Sequence, residues 1–188
     1  MEFRQKYPQI ILIAGKARSG KNTIAEYLKK EATRLNKKVV ISPYTKYLKQ
    51  YIEEITGNPI DDQNKPRDLL QKISLELIKG KLKREDFFLQ RQVEDIEIYS
   101  YFMDVIIIPD VRFPKEIEVI KKHFTNVISI GVTRENYQSN LTQEQQNDIT
   151  ETALDNYHNY DFEIKNNDKI DLKIIAKKVI QETKKEGI

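Results

Sequence analysis

A run of apolar residues, Ile10-Ile11-Leu12-Ile13-Ala14, passes directly into Gly15-Lys16-Ala17-Arg18-Ser19-Gly20-Lys21-Asn22-Thr23. A short uninterrupted apolar run suits a central strand of a parallel sheet, which is covered on both faces. After the loop, Ile24, Ala25, Leu28, Ala32 and Leu35 return at helical spacing with polar residues between them. The order is therefore strand, glycine-bounded loop, amphipathic helix. Gly15 and Gly20 let the backbone fold tightly, so that successive N–H groups point inward at phosphate oxygens. Lys21 adds a point charge, and a helix starting near Gly20 brings the positive end of its dipole to the same place. Gly15, Lys16, Ala17, Arg18, Ser19, Gly20, Lys21, Asn22 and Thr23 are thus the expected binding loop for the phosphates of a nucleoside triphosphate, ATP with Mg2+.

The remaining pattern alternates strands with helices. Val39-Val40-Ile41 is a second strand, followed by a helix over residues 44–55 that carries Tyr44, Tyr47 and Tyr51 on one face and ends at Gly57-Asn58-Pro59. That face reads as core, with a stacking wall for a base as the alternative. Helices follow near 66–80 and 85–101, then the strand Val105-Ile106-Ile107-Ile108, with Asp110-Val111-Arg112 just past its end. Pro114 opens a helix to about His123, Val127 to Ile130 form the next strand, and Phe162 to Ile164 a fifth. Residues 134–150 are polar and rich in Gln and Asn and read as a small lid. The fold class is α/β: a three-layer P-loop NTPase fold, a parallel five-stranded sheet with helices on both faces, in one domain over 1–188.

Composition narrows the function classes. A net charge of +3 without a long basic block announces no nucleic-acid surface. The absence of cysteine excludes disulfides and thiolate metal sites, and the two histidines lack partners at metal-ligand spacing. The first apolar run is too short for a leader or a membrane span, and the expected location is cytoplasmic, with no membrane partner. Of the 32 Lys and Arg residues only eight are Arg, leaving 24 Lys. In a Lys-biased chain, arginines are expected where a planar fork must grip phosphate, and Arg18, Arg67, Arg84, Arg91, Arg112 and Arg134 fall in or beside the segments of interest.

Asp110 follows a buried strand at the carboxyl edge of the sheet, where open α/β folds place ligands. It could orient magnesium-bound water or an acceptor phosphate, or cap a helix. Arg112, two residues on, could clamp the acceptor or the moving phosphoryl group, or form a surface ion pair. Arg91 and Arg134 could stabilise charge on that group.

The run Gly15 to Thr23 with Ile24-Ala25-Glu26-Tyr27-Leu28, together with Asp110-Val111-Arg112-Phe113-Pro114 and Glu116, resembles the phage and bacterial deoxynucleoside monophosphate kinase family. Leu48-Lys49, Arg67-Asp68-Leu69-Leu70-Gln71-Lys72, Phe87-Phe88 with Arg91, and Glu151-Thr152-Ala153-Leu154-Asp155 extend the likeness over nearly the whole chain. Asn22 stands where the family commonly has Asp, and Ser74 where it has Gly. The hydroxyl placed at Thr23 is similar to the Gly-Lys-x-Thr loops of nucleoside monophosphate kinases. It implies Thr23 as a phosphate and metal contact, with Asp110 as the more distant metal carboxylate. The resemblance implies phosphoryl transfer from ATP to a (deoxy)nucleoside 5′-monophosphate, with Lys21, Asp110, Arg112 and Arg134 catalytic. The resemblance also implies an acceptor-binding flap over residues 43–101, and Lys49, Arg67, Arg91, Arg112 and Glu151 would bind the acceptor, Glu151 alternatively being only a helix N-terminal carboxylate. A kinase of another small phosphorylated metabolite, such as phosphomevalonate, and an ATP-sensing module stay open, as does a homodimer.

Overall fold

The computed structural model describes residues 3–60, 66–134, 142–167 and 171–182. Five strands, β1 (Gln9–Ala14), β2 (Val39–Ile41), β3 (Val105–Val111), β4 (Val127–Arg134) and β5 (Phe162–Asn166), form one parallel sheet in the order β2-β3-β1-β4-β5. β1 lies at the centre, with Ile11 opposite Ile107 on one side and Ile128 on the other. Its alternating side chains feed two separate cores, as a strand covered on both faces requires.

Ile11 and Ile13 point to the face covered by α1 (Lys21–Arg34) and α8 (Leu172–Glu182), where they meet Ile24, Leu28, Val179 and Ile180. Ile10, Leu12 and Ala14 point to the other face and meet Leu89 and Ile96 of α4 (Phe87–Tyr99) and Ile117 and Ile120 of α5 (Pro114–His123). A third, smaller cluster of Leu48, Ile52 and Leu70 joins α2 (Lys46–Thr56) to α3 (Arg67–Gln71). The short helices α6 (Gln143–Gln146) and α7 (Ile149–Thr152) lie in the segment read as a lid, of which residues 135–141 lie outside the described residues.

The expected helix near 66–80 splits into α3 and a π-helix over Lys72–Lys81. In that wider turn the Leu82 N–H donates to the Leu77 carbonyl at 2.8 Å, five residues back. Positions five apart, which an α-helix would rotate by about 140°, are brought closer in direction, and Ser74 and Lys79 line the same cavity.

A buried polar knot fastens α2 to α4. Asp95 accepts from the Lys46 ammonium at 2.5 Å and from the Tyr47 hydroxyl at 2.8 Å, while Gln92 donates to the Ser42 hydroxyl at 3.3 Å. Burial works against the Lys46 charge, but the bonds to Asp95 and Tyr99 outweigh it and raise its pKa. Removing the carboxylate leaves the Lys46 and Tyr47 donors without their acceptor. Asp95→Ala is expected to lower unfolding free energy by about 1–3 kcal/mol in urea titrations.

Candidate active site

The loop after β1 is shaped by glycines at positions where no other residue fits. Gly15 has φ 144°, and a Cβ there would stand 2.2 Å from the Val132 carbonyl oxygen. Gly20 has φ 106°, and a Cβ there would stand 2.4 Å from Asn166 Nδ2, the group that donates to the Ser19 carbonyl at 2.8 Å. The ends of β4 and β5 thus brace the loop from outside. Buried Lys21 folds back over the same turn, its ammonium donating to the Gly15 and Lys16 carbonyls at 2.7 and 2.6 Å. The Ser19 hydroxyl is buried without a hydrogen-bond partner among the described residues.

The loop holds an internal anion. Glu151 Oε2 accepts from the Ala17 N–H at 2.7 Å, and its Oε1 lies 2.9 Å from Arg112 Nη1. The same guanidinium nitrogen donates to the Thr150 carbonyl at 3.2 Å, and Lys16 pairs with Asp155 at 2.7 Å. This segment closes one side of a cavity of about 700 Å³ lined by the loop, the end of β4 from Gly131 to Arg134, and Tyr157 and Tyr160. The two tyrosine rings meet edge-on at 4.9 Å, and Tyr160 packs on Gly131, where a Cβ would approach its ring to 2.6 Å.

A second cavity, of about 360 Å³, opens beyond Arg112 between the ends of β2 and β3. Its walls include the aromatic rings of Tyr44, Phe88 and Phe113, the cations Lys79, Arg112 and Lys115, and the carboxylates Asp110 and Glu116. Lys79 lies 4.3 Å from the centroid of the Phe113 ring, a cation–π contact. Thr150 lines both cavities, so the Arg112–Glu151 pair stands at their border.

Four carboxylates line the second cavity, Glu85, Asp86, Asp110 and Glu116, and the last two organise its walls. Asp110 accepts from the N–H groups of Tyr44 and Thr45 at 2.8 and 3.1 Å and from the Thr45 hydroxyl at 2.8 Å, fixing the start of α2. Glu116 accepts from the N–H groups of Arg112 and Phe113 at 2.7 and 3.1 Å, fixing the start of α5. Burial pushes the Glu116 carboxyl up to about 7; the two N–H donors pull against this, and the Asp110 charge adds to it. Burial first, then Glu116 and Asp110, hold the Tyr44 phenol well above its usual range, and its hydroxyl is buried without a hydrogen-bond partner among the described residues.

The structure brings Lys21, Arg112, Arg134 and Glu151 to the loop or the border beside it, with Arg134 Nη1 reaching the Arg18 carbonyl at 3.5 Å. Asp110 lines the second cavity with both oxygens engaged in the cap of α2, not of α5. Asn22 and Thr23 lie exposed at the start of α1. Arg91 pairs with Glu94 at 3.1 Å and lies over the rings of Tyr47 and Phe87, and neither it nor Lys49 lines either cavity. Arg67 opens α3, and its side chain lies outside the described residues. Sequence reasoning missed Asn166, Lys79, Tyr157 and Tyr160. None belongs to a motif or a periodic face, and only the fold brings them to the loop and cavities.

No protein-family model matches the chain, and no curated protein does. Among solved structures it is similar to the APS kinase CysC of Mycobacterium tuberculosis in complex with AMPPNP and APS: 8% identity, 94% of this chain and 97% of that chain, TM-score 0.53. It is also similar to a shikimate kinase from Bacteroides thetaiotaomicron, at 17% identity over 93% of this chain and 97% of that chain, TM-score 0.50. At such identities the likeness establishes the fold, the α/β architecture that these P-loop kinases share. No described helix is long and apolar enough to cross a membrane.

Two outcomes test the roles of the carboxylates. Asp110→Ala should cost about 1–3 kcal/mol of stability in urea without any ligand, because the start of α2 loses its acceptor. For Glu116 the sign follows from its raised pKa. Between about pH 4.5 and 7 the folded chain keeps a proton that the unfolded chain releases, so stability declines as pH rises through that window. Glu116→Gln keeps an acceptor oxygen and removes the titration. Its stability relative to wild type should improve by on the order of 1–3 kcal/mol between about pH 4.5 and pH 8.

Proposed function

We propose that the chain is an ATP-dependent phosphotransferase whose acceptor is a nucleoside 5′-monophosphate. The observation that carries this reading is the pair of cavities meeting at Arg112, one built on the phosphate loop and the other on aromatic rings and cations. A donor and an acceptor with their phosphates toward that border would face one another across it. The second cavity suits a ligand with a planar apolar part and an anionic end: Phe88 and Phe113 offer ring surface, and Lys79 and Arg112 offer charge. The family resemblance of the Asp110 to Pro114 block points to the same acceptor class, and the fold shared with known P-loop kinases supports the reaction type.

Little covalent work falls to the protein in such a transfer; it aligns two anions, offsets their charge and excludes water. The amides of residues 15–21 and the Lys21 ammonium hold the donor phosphates. Arg112 supplies a fork at the border, where charge moves between the partners, and Arg134 reaches the loop from β4. No side chain is required as a base, because a phosphate acceptor is already ionised at neutral pH. Among the described residues there is no cluster of three His, Asp or Glu able to hold a metal, and Asp110 spends both oxygens on α2. These residues fit a magnesium ion carried chiefly by phosphate oxygens and water, with Thr23 and Asp110 as the side chains nearest that role. Bound there, magnesium would neutralise charge on the donor phosphates.

Mg-ATP offered with each ribo- and deoxynucleoside monophosphate, and with other small phosphorylated metabolites, should yield ADP and a diphosphate with at least one nucleotide. Failure with every nucleotide by folded protein would sink the reading. Lys21→Ala should abolish donor binding in calorimetry. Arg112→Ala should lower kcat by roughly a hundredfold or more while the fold persists.

A further inference from the structure

Glu151 stands where a phosphate belongs. Its carboxylate takes the Ala17 N–H in the middle of the loop and the Arg112 guanidinium, and its side chain is only 8% exposed. A phosphate oxygen arriving at that N–H meets a carboxylate already bonded to it, and the two anions repel at contact distance. The single Ala17 N–H cannot serve both, and Arg112 Nη1 is already shared between Glu151 and the Thr150 carbonyl. The segment bearing Glu151 is fastened to the loop a second time, through Lys16 and Asp155, so the contact is part of how this segment docks.

Resting on the phosphotransferase reading above, we propose that Glu151 is a positioning residue that occupies a phosphate subsite of the loop and holds Arg112 at the border of the two cavities until a triphosphate displaces it. In that exchange Arg112 keeps its bond to the Thr150 carbonyl, 3.2 Å away, and its guanidinium passes from an internal anion to the incoming one. The loop amide is never without an acceptor, and the arginine is never without a counter-charge. The donor thereby arms the acceptor side: Arg112 becomes available to a reacting phosphoryl group only once a donor has taken the place of Glu151. A subsite filled by an internal competitor lowers apparent affinity in proportion to the time it is filled, so removing the charge should tighten phosphate binding.

Calorimetric titration of wild type, Glu151→Gln and Glu151→Asp with tripolyphosphate, and separately with Mg-AMPPNP, tests this without turnover or acceptor. A chain that forms no ADP would therefore sink the kinase reading and leave this result readable. The expected result is roughly tenfold tighter tripolyphosphate binding by Glu151→Gln, with or without magnesium. Glu151→Asp, one methylene too short to span Ala17 and Arg112, should tighten binding in the same direction and serves if the glutamine variant does not fold. In wild type, tripolyphosphate should speed hydrogen exchange over residues 149–155 while slowing it over 15–23. Unchanged or weaker binding by both variants overturns the proposal, as does protection of both segments in wild type. A loss of affinity confined to titrations with magnesium would make Glu151 a metal-directed residue and overturns it equally.

Discussion

Everything at the cleft depends on a backbone turn that its neighbours leave no room to change. Val132 closes on Gly15 and Asn166 closes on Gly20, so the loop between them is gripped by the ends of β4 and β5. Those strands take their places because β1 is central, paired with β3 on one side and β4 on the other. The sheet order thus does more than bury isoleucines. It sets the two clamps that hold the turn over residues 15–21, in which the Ser19 N–H donates to the Lys16 carbonyl and the Ala17 N–H to Glu151.

Around that turn the acidic groups act as braces. Asp110, Glu116 and Glu151 each accept backbone N–H groups: the first at the start of α2, the second at the start of α5, the third in the loop itself. Each carboxylate thereby satisfies donors that helix starts and tight turns leave over. The cations Lys79, Arg112 and Lys115 remain on the walls of the second cavity, of which Lys115 is itself paired with Asp86 at 2.7 Å. Under the function proposed above, the carboxylates tied to the main chain leave the arginine placed between them to meet an anion.

The strand, loop and first helix are legible because each depends on local periodicity, and β1 and α1 fall where the apolar patterns place them; β3 starts where expected but runs on to Val111, so that Asp110 lies within the strand and not past its end, because pairing with β1 carries the strand beyond its apolar run. The expectation for Asp110 was half-legible. Its place at the carboxyl edge of the sheet followed from the strand before it, but the helix it caps is α2, some sixty-five positions earlier in the chain. Tyr44, Tyr47 and Tyr51 do not share a helical face as their spacing implied, because α2 begins only at Lys46 and leaves Tyr44 in the turn before it: Tyr44 lines the second cavity, Tyr47 bonds Asp95, and Tyr51 meets Phe87. Arg91 has the right element and the wrong direction, since helical phase is read relative to a core whose position only the fold defines. Asn166 and Lys79 carry no local signature, because their roles arise from pairings across more than a hundred residues or from a π-turn that no simple period announces.

The two sides of the cleft differ in how firmly they are built. The loop side hangs from the central strands and from cores in which Ile11, Ile13, Ile106 and Ile108 are fully buried. The far wall of the second cavity includes the π-helix, and the α2–α3 contact behind it rests on the small cluster of Leu48, Ile52 and Leu70. Local opening free energy follows buried apolar contact, so this wall adjusts more readily than the loop side. The hydrogen bonds of a π-helix, five residues apart, can be exchanged for those of an α-helix by one step per residue, and Ser74 and Lys79 would then turn away from one another. A firm loop side and a more adaptable far wall fit the transfer proposed above, in which one geometry stays constant and the other closes around what it accepts.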